Sequence, residues 1–241
     1  MSPPLLATML PSANRVVEPV TAALLRGLGV TPIFTRFAKR GATDPFPDRH
    51  DTDALLQAAE LLADALPAAI VLSAGKGAVI GLSHDRALAE AITHRTGIPA
   101  ATPALAVPDA LRALGGLSRI ALIGPHDAAY NARAARGFAE AGIETVAEAS
   151  LGIADNLAFA DVGPEAIAEM ARRAAAPGVQ AILAWNTNCA AAPLAAAMEA
   201  ELGLPFLDAT SLGVWAGLRA AGISARPGPE WGRLFTLPGD A

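Results

Sequence analysis

Short apolar runs of strand length alternate with alanine-rich stretches of helical spacing along the whole chain, and the alternation runs twice. Leu5 to Leu10 reads as a strand, followed by PSAN (11–14) and a helix over about Val16 to Leu28. Thr31 to Phe37 is a second strand. Asp53 to Leu66 carries Leu55, Leu56, Ala59, Leu62 and Ala63 at helical spacing. Ala69 to Leu72 is a buried strand with SAGKG (73–77) as its turn, and Leu82 to Thr96 is a helix stopped by Gly97 and Pro99. The order then restarts: strand Arg119 to Ile123, loop GPHDAAYN, a helix to about Ala141, strand Glu144 to Ala147 and helix Pro164 to Ala175. Strand Ala181 to Trp185 and helix Ala190 to Leu202 follow, and the tail holds strand-like Pro205 to Leu207 and a helix from about Leu212 to Ala221. Alternating β and α units imply a parallel sheet covered by helices on both faces. The doubled pattern implies two similar α/β halves. Ligands of such sheets bind beyond the carboxyl ends of the strands. Four strand ends therefore matter most: PSAN, SAGKG, GPHD (124–127) and NTNC (186–189). Facing halves would bring them into one cleft, with SLGIADN (150–156) over it.

Composition removes several classes of function. Hydrophobic residues make up 53% of the 241 and charged ones 17%, which argues for a packed core. A net charge of −5 offers no reason to expect nucleic acid or an anionic membrane as partner. The single cysteine, Cys189, excludes an internal disulfide and a thiolate zinc cluster, and His50, His84, His94 and His126 lack metal-ligand spacing. Apolar runs such as Ala68 to Leu72 fall far short of the ~20 residues of a bilayer span. MSPPLLATMLPSANR has no basic segment ahead of a long apolar one, so no signal peptide is expected and a cytoplasmic location is the default.

The loops carry polar groups without much charge. SAGKG is no phosphate loop, because Ala78 follows Gly77 where the Walker spacing needs Ser or Thr, and no G-x-G-x-x-G stands between a strand and a helix. Its small residues either let backbone N–H groups approach an anion or simply make a tight turn. In NTNC, Thr187 or Asn188 is expected to cap the following helix. Three amide and hydroxyl side chains in a row exceed what capping needs, and they suit a carboxylate or the enolate derived from it. Cys189 is placed in the first helical turn, where it is either a thiol activated by the dipole or a small core residue. His126 is the one histidine at a predicted strand end, and a reference pKa of ~6.5 fits a proton carrier; the alternative is a loop histidine bonded to backbone. His50, in PFPDRHDTD, and His94, late in a helix beside Arg95, read as surface residues. Ser83-His84-Asp85 reads as a helix cap, since catalytic triads are assembled from residues distant in sequence. In PSANRVVEP, Asn14 is the expected ligand contact, Glu18 suits a first helical turn, and Arg15 is left open between carboxylate binding and solvation.

PSANRVVEP resembles the "PSxNTxxE" opening of the maleate cis-trans isomerase and arylmalonate decarboxylase group of the aspartate/glutamate racemase superfamily. GIPAATPALAVPDALRALG (97–115) with SRIALIGPHDAAYN resembles the linker of that group and its strand ending in "PY". LGIADN is similar to its "lgisdn", and AILAWNTN with EAELGLPFLDATSLGVWAGLRAAG resembles its second catalytic loop and "ElGkPvi…W..lR..G" tail. The resemblance runs from Leu10 to about Gly222. It implies two Rossmann-like (flavodoxin-like) parallel-sheet lobes related by a pseudo-twofold, with the active site in the cleft between them. Residues 1–115 plus 205–241 would form the first lobe and 116–204 the second. It also implies action on a small carboxylate with no metal and no organic cofactor, and leaves a homo-oligomer open.

Members of the group use cysteines from the two lobes, or only the second. Counting back from Gly81 places Ser73 at the first cysteine position, and counting back from Glu199 places Asn186 at the second. "PY" has become Pro125-His126, and the hydroxyl donors that follow the first cysteine are Ala74 and Gly75 here. An amide has no useful pKa, so a two-thiol mechanism is not expected. The expected catalytic set is Ser73, His126 and Asn186. Asn14, Ala74, Gly75, Asn131, Asn156, Thr187 and Asn188 are expected to bind substrate. The expected activity is an isomerase or lyase working through an enolate-type or addition–elimination intermediate, with His126 carrying the proton. The alternatives are a hydrolase or hydratase, with Ser73 or a water activated by His126 or Lys76, and a small-acid binding protein without turnover.

Overall fold

A computed structural model describes residues 2–38 and 51–237; His50 lies outside them. Two four-stranded parallel sheets, built alike, carry flanking helices. In the first, β1 (Leu5–Pro11) lies between β2 (Thr31–Phe37) and β3 (Ala69–Leu72), and β4 (Ala100–Ala101) extends β3. In the second, β5 (Arg119–Gly124) lies between β6 (Glu144–Ser150) and β7 (Ala181–Ala184), and β8 (Phe206–Asp208) extends β7. Both orders, 2-1-3-4 and 6-5-7-8, follow the flavodoxin-like plan, so equivalent strand ends recur in each lobe. Return from the second sheet falls at the end of β8, so residues packing on the first lobe start at Ala209 and not at Pro205.

The helices are α1 (Val17–Leu24), α2 (Thr52–Ala63), α3 (Lys76–Ile80), α4 (Leu82–Thr96), α5 (Pro103–Ala113), α6 (Ala128–Ala139), α7 (Pro164–Ala174), α8 (Ala195–Leu202) and α9 (Ala209–Ala220). β4 and α5 lie within GIPAATPALAVPDALRALG, where a two-residue strand shows no period and Pro103 and Pro108 interrupt the helical one. Pro103 suits the first helical position, where its missing N–H leaves no bond unmade. A central cluster of buried side chains joins Leu6 and Val71 of the first sheet to Ile120, Leu122 and Leu183 of the second through α5 and α9. Each sheet covers its outer face separately: Ala7, Met9, Ile70 and Leu72 against α2 and α4, and Ile123, Ile182 and Ala184 against α7 and Cys189. Gly217 brings α9 so close to the first sheet that a Cβ there would run into Val71 and Leu6.

The lobes also meet where α3 packs on α6. The bare α-carbon of Gly137 lies against the Ala78 carbonyl, which leaves no room for a side chain. From the end of α6, Glu140 Oε2 accepts the Leu82 N–H at 2.9 Å and the Ser83 N–H at 3.3 Å, so one lobe caps a helix of the other. The expected cap, Ser83-His84-Asp85, does not serve: α4 has no side-chain cap of its own, and Asp85 turns inward to accept from the Thr102 hydroxyl.

Candidate active site

Each expected strand end reaches the loop after β7. Asn14, beyond β1, uses Oδ1 to accept the N–H groups of Val16 and Val17, both at 2.9 Å, which fixes its amide and aims Nδ2 at Thr187 Oγ1, 3.3 Å away. The Arg15 N–H donates to Asn188 Oδ1 at 2.8 Å. Trp185 Nε1 donates to the Gly75 carbonyl at 3.1 Å, so the first-lobe loop SAGKG touches the residue preceding Asn186. From β5, His126 Nε2 lies 2.7 Å from Asn186 Nδ2. Asn188 Nδ2 donates to the Asn156 carbonyl at 2.7 Å, and the Gly152 N–H donates to the His126 carbonyl at 3.0 Å, which seats 150–156 over the cluster.

The amide of Asn186 decides the tautomer of His126. Its Oδ1 accepts the Asn188 N–H at 2.6 Å, so Nδ2 must face the imidazole as donor. Nε2 then accepts, and the ring proton resides on Nδ1. Tyr130 stacks on the ring with centroids 3.5 Å apart, and Phe159 meets it edge-on at 4.5 Å. Burial in this aromatic setting pushes the His126 pKa down to about 3, because water no longer stabilises the cation. His126 is therefore neutral at pH 7, which differs from the mid-range titration suggested by its reference value. Burial likewise drives the Tyr130 hydroxyl far above its ordinary range.

Ser73 is buried at the end of β3, and its Oγ has no hydrogen-bond partner. Ala74 is buried beside it, and Gly75 takes part through its carbonyl. Asn131 is fully buried, with Nδ2 donating to the Ala149 carbonyl at 3.4 Å and Oδ1 unpartnered near Gly124. Asn156 joins through its carbonyl. Arg15 points outward, donating to the Leu157 carbonyl and Asp161, both at 2.8 Å. Glu18 pairs with Arg36 at 2.7 Å, and His94 is exposed.

Residues 186–189 do not open a helix. The Asn186 side chain bonds the Asn188 N–H as an Asx turn, a 3₁₀ turn follows at Ala192–Leu194, and α8 starts only at Ala195. Thr187 and Asn188 consequently cap nothing and face the first lobe. Cys189, no longer in a helical turn, packs among Ile123, Ile167, Met170 and Ala191. Burial, with the Asp208 charge adding to it, pushes its thiol up to about 12. Tyr130, Phe159 and the Trp185 indole were not expected in the site. Tyr130 had a signal in its spacing, one helical turn beyond His126, whereas Phe159 had none.

Among the described residues no cluster of three or more His, Cys, Asp or Glu is placed to hold a metal ion, and no helix is long and apolar enough to cross a membrane. The solved structures similar to this chain include maleate isomerase Iso from Pseudomonas putida S16, with a TM-score of 0.84 and 23% identity over 96% of this chain and 98% of that one. Unliganded arylmalonate decarboxylase gives a TM-score of 0.83 and 27% identity over 97% and 99%. An arylmalonate decarboxylase of Bordetella bronchiseptica is 33% identical over 157 residues, which is 64% of this chain and 65% of that relative's length. The family model for arylmalonate decarboxylase matches residues 49–235. With strand order, loop placement and this match in agreement, the chain belongs to the arylmalonate decarboxylase family.

Proposed function

We propose that this chain is a cofactor-independent isomerase or lyase of a small carboxylic or dicarboxylic acid, working through an enolate-type intermediate without a thiol. The observation that carries this reading is the buried, uncharged contact between a neutral His126 and Asn186, with a buried, unpartnered Ser73 hydroxyl at the end of β3. Ser73 Oγ–H, Asn186 Nδ2 and Asn14 Nδ2 are donors suited to a carboxylate and to the oxyanion that develops on it. A carboxylate that draws the Asn186 amide to itself frees His126 Nε2. A neutral imidazole with a free lone pair begins by taking a proton. Nε2 removes it from the α-carbon, and the electron pair moves into the carboxylate as an enediolate. Return of the proton to carbon completes an isomerisation; departure of a β-substituent completes an elimination. A single imidazole fits one proton carrier better than the opposed pair a racemase needs.

A serine nucleophile requires a base on its hydroxyl, and Ser73 Oγ has no such partner, so the hydrolase reading is the weaker. A binding protein without turnover would use the same donors. Deuterium exchange separates these. Small dicarboxylates and arylmalonates are incubated with the protein in D₂O, and exchange at the α-carbon and turnover are followed by NMR. Exchange or product is expected with the wild type and at least a hundredfold less with His126→Ala, within the range of general-base contributions. Tight binding with no exchange on any acid of the panel refutes catalysis, and unchanged exchange in the variant removes His126 from it.

A further inference from the structure

The loops after β3 and β7 must be held in place by something, and in each lobe a buried carboxyl group lies underneath. In the first lobe Asp85, from the first turn of α4, is 1% exposed and lies against Gly77, the last residue of SAGKG. A Cβ at Gly77 would collide with Asp85 Oδ1, so only glycine lets the carboxyl group approach the loop backbone. Asp85 Oδ2 accepts from the Thr102 hydroxyl, whose oxygen in turn accepts the Leu105 N–H at 3.2 Å and caps α5. In the second lobe Asp208, also 1% exposed, ends β8 and caps α9 by accepting the Ser211 N–H at 2.9 Å. α9 also packs on the 3₁₀ turn Ala192–Leu194, at the exit of the loop that carries Asn186. Asp208 Oδ2 and Thr210 Oγ1 are buried without partners. α5 and α9 follow equivalent strands and pack on each other at the lobe junction.

We propose that Asp85 and Asp208 are positioning residues, one beneath each reactive loop, that tie the exit of the loop to the start of the helix leaving the lobe and so set the spacing of Ser73 and Asn186. This rests on the assignment of those loops as the reactive ones. Each carboxyl group is also a proton-dependent tie. Burial raises Asp85 to about 6, opposed by the Thr102 hydroxyl, and raises Asp208 to about 7, opposed mainly by the Ser211 and Thr210 backbone. Ionisable groups stand on the adjoining elements. Around Asp208 they are Cys189, neutral at these pH values, and Glu199 of α8, whose carboxylate is taken up by the N–H groups of Phe206 and Arg233. Around Asp85 they are His84, Arg86 and Glu90 on α4, Lys76 on α3, Glu140 on α6, which holds the Leu82 N–H, and Asp109 and Arg112 on α5, paired with each other.

The Trp185 indole reports on both loops at once, because its N–H, one residue before Asn186, is bonded to Gly75. Its ¹⁵N–¹H resonance, assigned with Trp185→Phe, is followed from pH 4.5 to 8.5 in the full chain. Two inflections between pH 5 and 8 are expected in the wild type. Asp208→Asn removes the upper one and Asp85→Asn the lower, since an amide keeps the shape and loses the proton. Where Asp85→Asn does not fold, Thr102→Val replaces it and is expected to move the lower inflection upward, having lost the hydroxyl that opposes burial. A wild-type resonance that does not move with pH overturns the proposal, as does a titration that survives in both aspartate variants. The readout needs no substrate, so it stands or falls apart from the proposed reaction.

Discussion

Asp208→Asn gives a stability prediction whose sign depends on pH. The folded protein holds this carboxyl group at about 7 against an ordinary value of 3.8, chiefly because it is buried. Its pKa is raised on folding, so the native state binds the proton more tightly. Below about pH 4 both states are protonated and the group contributes nothing. Between 4 and 7 the unfolded chain has lost the proton and the native state has not, so stability falls as pH rises. Above 7 both are ionised and the penalty is constant. The gap between 3.8 and about 7, at ~1.4 kcal/mol per unit, sets the penalty at roughly 4 kcal/mol. Asparagine keeps an acceptor for the Ser211 N–H and adds N–H groups that can face the unpartnered Thr210 Oγ1. The variant should match the wild type near pH 3 and exceed it by up to ~4 kcal/mol at pH 8. Urea unfolding followed by circular dichroism at half-unit pH steps measures this, provided the m-value stays constant. A variant less stable than the wild type at pH 8, or a difference that does not change with pH, would show that folding does not raise the Asp208 carboxyl group. Asp85, raised to about 6, gives both proteins the same residual slope and drops out of the comparison.

The remaining expectations concern the joint between lobes and the two groups that look reactive. Gly137→Ala forces a methyl into the Ala78 carbonyl, where backbone faces backbone, and should cost at least ~3 kcal/mol in thermal or urea melts; a near-neutral result would mean that α3 and α6 can slide apart freely. Glu140→Ala removes the cap that one lobe supplies to the other and should cost ~1 kcal/mol in the same melts. Cys189→Ser places a hydroxyl in an apolar pocket and should cost ~1–3 kcal/mol without changing turnover. The wild-type thiol should resist a disulfide reagent at pH 7 until the protein unfolds, and rapid labelling would show it accessible. The His126 C2–H resonance should stay flat from pH 5 to 8.5, because protonation would set an N–H against the Asn186 N–H; a midpoint near 6.5 would show that burial and the Asn186 amide do not hold the imidazole neutral.

Most of the framework was legible in the sequence because it is set by local pattern. Thr31–Phe37 and Leu82–Thr96 have the bounds that their periodicity and the Gly97-Ile98-Pro99 stop predict. What escaped depends on contacts between distant residues. β4 is two alanines paired to Ile70 and Val71, and nothing within two residues can announce a strand. The cap of α4 comes from Glu140, more than fifty residues on, so the local candidate Ser83-His84-Asp85 misled. The delayed start of α8 follows from the Asn186 side chain taking the Asn188 N–H, a competition that composition alone does not decide. The site divides the same way. Strand ends pointed to Asn14, His126 and the loop at Asn186, between which hydrogen bonds run, but the aromatic cage of Tyr130 and Phe159 that fixes the charge of His126 required the fold.

That cage explains why the departures in the loops belong together. A thiolate at position 186 would need positive charge or strong donors nearby, and a buried imidazole between Tyr130 and Phe159 resists supplying the charge. An amide at 186 needs neither. It uses one end to fold its own loop and the other to occupy the imidazole lone pair, so both partners are satisfied while neutral. Ser73, at the end of β3, is neutral as well, and Arg15 with Asp161 and Glu18 with Arg36 pair with each other at the surface. In the proposed reaction a substrate would bring its charge to these neutral groups. Its carboxylate would then be the strongest acceptor present, and displacing the imidazole from the Asn186 N–H is the event that would turn a quiescent histidine into a base.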